Sequence, residues 1–159
     1  MDIQRTITGT EPITVNDVKA WLKVDYATED ALIGALITEV REHIEQYTGR
    51  SLVASTIVLT VYGEADEPVY LPFPDIDEIT ESLPDTVTAK GGKRKYVVFG
   101  ADDEYQITYK TLGNCPAGIK LAIKKAVAEN YINRQNTTEL TAVKLPESTY
   151  HFLMQYTLP

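Results

Sequence analysis

The chain has 159 residues, 43% of them hydrophobic and 24% charged, with a formal net charge of −8. A chain of this length buries about 70% of its unfolded surface and needs no disulfide or metal to hold a core; its single cysteine, Cys115, excludes an intrachain disulfide. The acidic balance speaks against a surface built throughout to grip phosphates. The longest helix-like apolar run, Ala31 to Ile37, is too short for a bilayer, and the start, Met-Asp-Ile-Gln-Arg, lacks the apolar stretch of a signal peptide. The expectation is a soluble, cytoplasmically made protein with no membrane partner.

Thr14 reads as a helix N-cap, with Asp17 as the acid of a capping box. Val15, Val18, Trp21 and Leu22 follow at helical spacing, and this helix ends near Val24 or Asp25. Thr28 is expected to cap a second helix, with Glu29 and Asp30 favouring its positive end. Ile33, Leu36, Ile37, Val40, Ile44 and Tyr47 form one apolar stripe, and Glu39, Arg41, Glu42 and Glu45 are assigned to the opposite face. Gly49 closes this helix in the left-handed conformation.

From Ser55 the period changes to that of strands. Thr56 to Tyr62 is rich in β-branched residues, Val69 to Leu71 is a short strand stopped by Pro72 and Pro74, and Asp75 to Leu83 is another. Pro84-Asp85 makes a turn. Thr86 to Ala89 leads into Lys90-Gly91-Gly92-Lys93, a turn signal with freedom for positive φ, and Lys95 to Phe99 is expected to pair back as a hairpin. Asp102 to Glu104 turns into a strand over Tyr105 to Tyr109. Short strands at close spacing, with no helix between them, imply an antiparallel sheet.

Pro116 suits the first turn of a third helix, with Ile119, Ala122, Ile123, Ala126, Val127 and Asn130 on one face and an end near Asn133 or Gln135. Gln135 to Thr141 reads as a loop. Pro146 opens a last short helix whose apolar residues are Tyr150, Phe152, Leu153 and Tyr156. The fold class is α+β: a small helical bundle, about 14–50 and 116–156, with an antiparallel β insert, about 55–110, between helices two and three. The expected core includes Trp21, Leu22, Leu32, Leu36, Val40, Ile44, Ile123 and Val127.

Residues able to do chemistry are sparse. His43 lies beside the apolar stripe with Glu39 and Tyr47 at ligand spacing, but a boundary histidine explains it as well. His151 has no nearby acid. Cys115 precedes Pro116 at a helix start that lowers a thiol's pKa in other settings, yet no base accompanies it, and a small buried thiol is the simpler reading. Gly91-Gly92 with Lys93, Arg94 and Lys95 lacks both the phosphate-loop and the dinucleotide pattern, so a hairpin tip with solvated charges is favoured over a nucleic-acid contact. Glu64 to Asp85 holds eight acids and no base; calcium-loop spacing is missing. Helices one and two do not read DNA, because the exposed side of the second is glutamate-rich. No catalytic residue, metal ligand or cofactor is assigned.

Ile13-Thr-Val-Asn-Asp-Val-Lys-Ala-Trp-Leu-Lys-Val-Asp25, Glu29-Asp-Ala-Leu-Ile33 and Ile44-Glu-Gln-Tyr-Thr-Gly-Arg-Ser-Leu52 together resemble the head–tail connector (adaptor) family of long-tailed double-stranded-DNA phages. The strand Ile57 to Val61, the phrase Leu71-Pro-Phe-Pro74, and Pro116 and Ile119 opening a helix that ends near Asn130-Tyr131 and Asn133-Arg134 fit the same pattern. The likeness covers most of 13–135; Asp75 to Lys110 and the tail after Gln135 follow it loosely. The resemblance implies a single connector domain over 1–159, forming a commonly dodecameric ring that docks under the portal protein and extends the DNA channel. It also implies a surface for a stopper or tail-completion protein, with DNA passing through unbound and the subunit resident at the head–tail junction of the virion. Within that expectation Tyr150, Phe152, Leu153 and Tyr156 are assigned to portal docking, Lys90, Lys93, Arg94 and Lys95 to channel or loop charge, and Trp21, Gly49 and Pro116 to structure. Rival readings are another neck or tail-completion protein, a small ligand-binding domain or enzyme, and a nucleic-acid binder using Lys90 to Lys95.

Overall fold

A computed structural model describes residues 1–83, 87–136 and 145–158, with side chains in the third helix described to residue 133. The turn expected at Pro84-Asp85, the strand start at Thr86 and most of the loop expected over Gln135 to Thr141 lie outside the described residues; the helix before that loop runs further than expected and takes in 135 and 136. The order is β1 (Asp2–Ile7), α1 (Val15–Leu22), α2 (Asp30–Thr48), β2 (Ser55–Gly63), β3 (Pro68–Tyr70), β4 (Ile76–Leu83), β5 (Tyr96–Val98), β6 (Asp103–Thr111), α3 (Ala117–Asn136) and α4 (Glu147–Leu153), the last running into a 3-10 turn at Met154–Tyr156. The fold is α+β, as the sequence implies. The chain divides into two compact units, a β unit (1–10, 49–114 and 158–159) and a helical unit (11–48 and 115–157).

In the β unit a four-stranded antiparallel sheet has the order β1-β2-β6-β4, and β3 and β5 form a two-stranded ribbon. Alternation along β2 and β6 turns Ile57, Leu59, Tyr105, Ile107 and Tyr109 into a core shared with Leu71, Val97 and Phe99. Phe99 stacks on Tyr105 with ring centroids 3.8 Å apart. That approach depends on Gly63, where a Cβ would lie 2.0 Å from the Phe99 ring. The buried tyrosines keep their hydroxyls bonded, Tyr109 donating to the Pro72 carbonyl at 2.6 Å and Tyr105 to that of Ala101 at 3.2 Å. Burial pushes the Tyr109 phenol well above its ordinary range.

Strand β1 carries no phrase that marks it in the sequence. Its register is continuous from Asp2 opposite Thr60 to Ile7 opposite Ser55, and a polar knot fastens it. Arg5 donates to Ser55 and Ser51, both at 3.1 Å, and the hydroxyls of Ser51 and Ser55 each lie 2.9 Å from that of Thr111. At the other edge β4 skips register at two points, between Ile76 and Glu78 and between Ile79 and Glu81. Such bulges twist an edge and discourage addition of a further strand. Lys95 to Phe99 pairs mainly with β3, Val97 lying opposite Val69, and among the described residues the expected hairpin survives as a single bridge between Lys90 and Tyr96. The turn expected at Asp102–Glu104 falls one step early, since Asp103 and Glu104 already belong to β6.

In the helical unit the Thr14 capping box forms as expected. Ile13 and Val18, the flanking positions that staple a capped helix, are both buried. Helix α2 begins at Asp30, two residues after the expected Thr28 cap, which lies in a turn. Gly49 takes φ +70° and closes it. Ile33, Leu36, Ile37, Val40 and Ile44 are buried, as are Ile119, Ile123 and Val127 of α3.

Three expected core residues require correction. Trp21 is 51% exposed, because the short α1 turns Val18 inward and leaves Trp21 on its flank; Leu22 and Leu32 are half-buried, and Ile33 occupies the inner position that Leu32 was assigned. The buried face of α2 is also wider than its apolar stripe, and it takes in Arg41 and Glu45, both 1% exposed and both assigned to the outer face from sequence.

Candidate functional site

No hydrogen bond or ion pair joins His43, Cys115 and His151 to one another among the described residues. His43 on α2 and His151 on α4 are exposed. Cys115 is half-buried, and loss of hydration pushes its thiol up to about 11. The helix start beside it therefore does not produce a reactive thiolate. Among the described residues no three His, Cys, Asp or Glu side chains are grouped to hold a metal ion. One cavity of about 490 Å³ opens on the sheet beside Thr60, Leu83, Asp103 and Gln106. A second, of about 360 Å³, lies over α3 between Trp21, Lys125, Ile132 and Pro146. The first also takes in Glu104, and the second Glu129, Ser148 and Thr149, but among the described residues no hydrogen bond joins a hydroxyl of either cavity to a carboxylate or amine that could activate it.

The strongest polar cluster is Arg41, missed from sequence. Its Nε donates to Glu11 at 2.9 Å, Nη1 to Glu45 at 2.5 Å and Nη2 to Glu42 at 3.2 Å. Loss of hydration opposes the guanidinium charge, but Glu11 and Glu45 outweigh it and hold the group protonated. Arg41 and Glu45 stand four residues apart beside the apolar stripe, which was the one available signal. The cluster pins Glu11 to α2 and offers no open coordination position, so it is structural.

The C-terminal aromatics are partly engaged within the helical unit. Leu153 is fully buried, which removes it from the proposed docking surface: it faces the interior because α4 turns Thr149 and Leu153 inward. Tyr150 meets Tyr47 edge to face at 5.1 Å, and Phe152 and Tyr156 lie 5.5 Å apart over Gly118. Tyr150 at 38% and Phe152 at 37% keep exposed surface, and Met154 adds to it at 62%. Pro116 accepts the first helical bond of α3 from Lys120 at 3.0 Å.

The basic tip is a built feature. Gly91 takes φ +90°, and a Cβ there would lie 2.6 Å from the Arg94 carbonyl. Lys90 and Tyr96 exchange backbone bonds of 2.8 and 3.1 Å, and Lys95 Nζ donates to the Gly91 carbonyl at 3.1 Å. The Arg94 guanidinium sits 4.4 Å over the Tyr70 ring, which is tilted against Tyr96 at 5.9 Å. Lys90, Lys93 and Arg94 are exposed and Lys95 is half-buried.

The phage gp6-like head–tail connector family matches residues 12–156. The chain belongs to this family. No curated protein sequence matches it closely. Among solved structures, a chain in the neck of an empty gene transfer agent (GTA) particle, computed with C6 symmetry, has a TM-score of 0.74 at 12% identity, covering 97% of this chain and 95% of that one. A chain in the virion of the native GTA particle has a TM-score of 0.71 at 13% identity with coverages of 97% and 95%. A chain in the neck of the native GTA particle, computed with C12 symmetry, has a TM-score of 0.67 at 11% identity with coverages of 97% and 94%. At these identities the likeness is one of fold.

Proposed function

We propose that this connector-family chain is a structural subunit of the particle neck, forming a ring at the portal vertex that joins head to tail and extends the DNA channel. The family match over 12–156 carries this reading, and the shared fold with chains of C6 and C12 necks supports it. In this reading the chain assembles and does not turn over a substrate. Both compact units belong to the single connector domain, 1–159, in this reading. Its place in the finished virion is the head–tail junction, after synthesis in the host cytoplasm. Its neighbours are further copies of itself, commonly twelve in the virion, the portal protein on one side and a stopper or tail-completion protein on the other.

Portal docking falls to the exposed part of the C-terminal segment, Tyr150, Phe152 and Tyr156 with Met154, because aromatic rings with polar tips suit a half-desolvated contact. DNA passes without specific binding, since an acidic wall repels phosphates. Deleting the gene from its phage tests the assignment. Full heads and separate tails are expected to accumulate unjoined; intact particles from the deletion strain would overturn it. Phe152→Ala with Tyr150→Ala is expected to weaken portal binding while leaving the fold intact.

A further inference from the structure

The basic tip and the acidic edge strand of the β unit are left without each other. Lys90, Lys93, Arg94 and Lys95 make no ion pair among the described residues. On β4, Glu78 pairs with Lys110 at 2.8 Å, and the carboxylate of Asp77 acts on the same ammonium, raising its pKa after the Glu78 bond. Glu81, which stands opposite Thr108, pairs with no cation among the described residues. One lysine thus faces a surplus of carboxylates on one edge, while four cations stand together at the end of the ribbon.

We propose that the tip docks on a second copy of this chain, placing Lys90, Lys93 and Arg94 against Asp77, Glu78 and Glu81 of the neighbour's β4. The inference rests on the ring proposed above and assigns one of its contacts. Subunits that each carry −8 repel when brought together. A ring needs a heterologous contact between two unlike surfaces, and here the two surfaces carry opposite charge. The bulges of β4 discourage pairing by backbone, so the contact is made by side chains. The tip is prepared for this: its turn is fixed by Gly91 and the Lys95 bond, and Arg94 is held in place by Tyr70, so less freedom is lost on docking. Nucleic acid is the competing occupant. The charge of the whole chain disfavours it, and the test separates the two.

The experiment is assembly of the full chain on portal-bearing heads, read by electron microscopy and by mass photometry of the released rings. Lys93→Glu with Arg94→Glu is expected to lower ring occupancy by about tenfold, the scale of several lost exposed ion pairs. Adding Glu78→Lys and Glu81→Lys to that variant is expected to restore it, and added salt to weaken the wild-type ring. Circular dichroism of each variant checks folding. Wild-type rings with unchanged occupancy in the tip variant, or without rescue by the swap, overturn this inference and leave the ring standing. Loss of salt-dependent DNA binding with rings intact assigns the tip to nucleic acid instead. Failure of the wild-type chain to form a ring overturns the neck reading, and this contact with it.

Discussion

Among the described residues the β unit buries hydroxyls but no charged side chain, whereas the helical unit buries an ion pair. The β unit closes over apolar and aromatic side chains, with a glycine wherever a ring or a backbone comes too near: Gly63 under Phe99, and Gly113, at φ +68°, where a Cβ would lie 2.0 Å from the Ala54 nitrogen. The helical unit buries Arg41 and Glu45 in the middle of its second helix and leaves Trp21 half outside. Removing one partner of a buried ion cluster strands the other charges in a poor medium. Close packing fails by collision, and an ion cluster fails by loss of a partner; the two units should therefore respond to different substitutions.

Arg41→Ala is expected to have the largest effect, a loss of about 3–5 kcal/mol in urea unfolding. Replacing Arg41 by Met together with Glu45 by Leu should recover most of it, and a double variant as unstable as the single one would show that the ions were not the cause. Gly63→Ala is expected to cost about 1–3 kcal/mol by forcing Phe99 off Tyr105, with the change in near-ultraviolet dichroism of the aromatic stack as its mark. Trp21→Ala should lose less than about 1 kcal/mol, as a surface change does; a loss as large as that of Ile33→Ala would return Trp21 to the core. The smallest effect concerns pH. Thr14 backbone and hydroxyl bonds hold the Asp17 carboxyl below its usual range, so the cap contributes above the ordinary carboxylate pKa and is lost as pH falls through the lower folded value. Because Asp17 is exposed the slope is shallow, and Asp17→Asn should remove it from an acid titration of helicity.

Much of the framework was legible because its signals are local. The Thr14 box, the left-handed Gly49, the Pro116 start and the β-branched run of β2 each depend on a few neighbouring residues. What escaped depends on partners far away in the chain. Strand β1 is defined by Ser51, Ser55 and Thr111 around Arg5, and the burial of Arg41 requires Glu11, thirty residues earlier. Trp21 misled because large apolar residues usually go inside, while a short helix has only one inner flank. Among the described residues the hairpin expected at Gly91-Gly92 forms a bridge only at its tip, and Val97 pairs with Val69 instead. The proposed interaction surfaces were half legible: composition marked Tyr150, Phe152 and the Lys90–Lys95 cluster as candidates, but only packing reveals that Leu153 is enclosed and that Arg94 is braced on Tyr70.

The most direct measurement is cryo-electron microscopy of portal-bearing heads incubated with the purified chain. The account predicts a closed ring of this chain on the portal vertex, with the channel open through its centre. Heads that stay bare, or a chain bound singly or away from the portal, would contradict it.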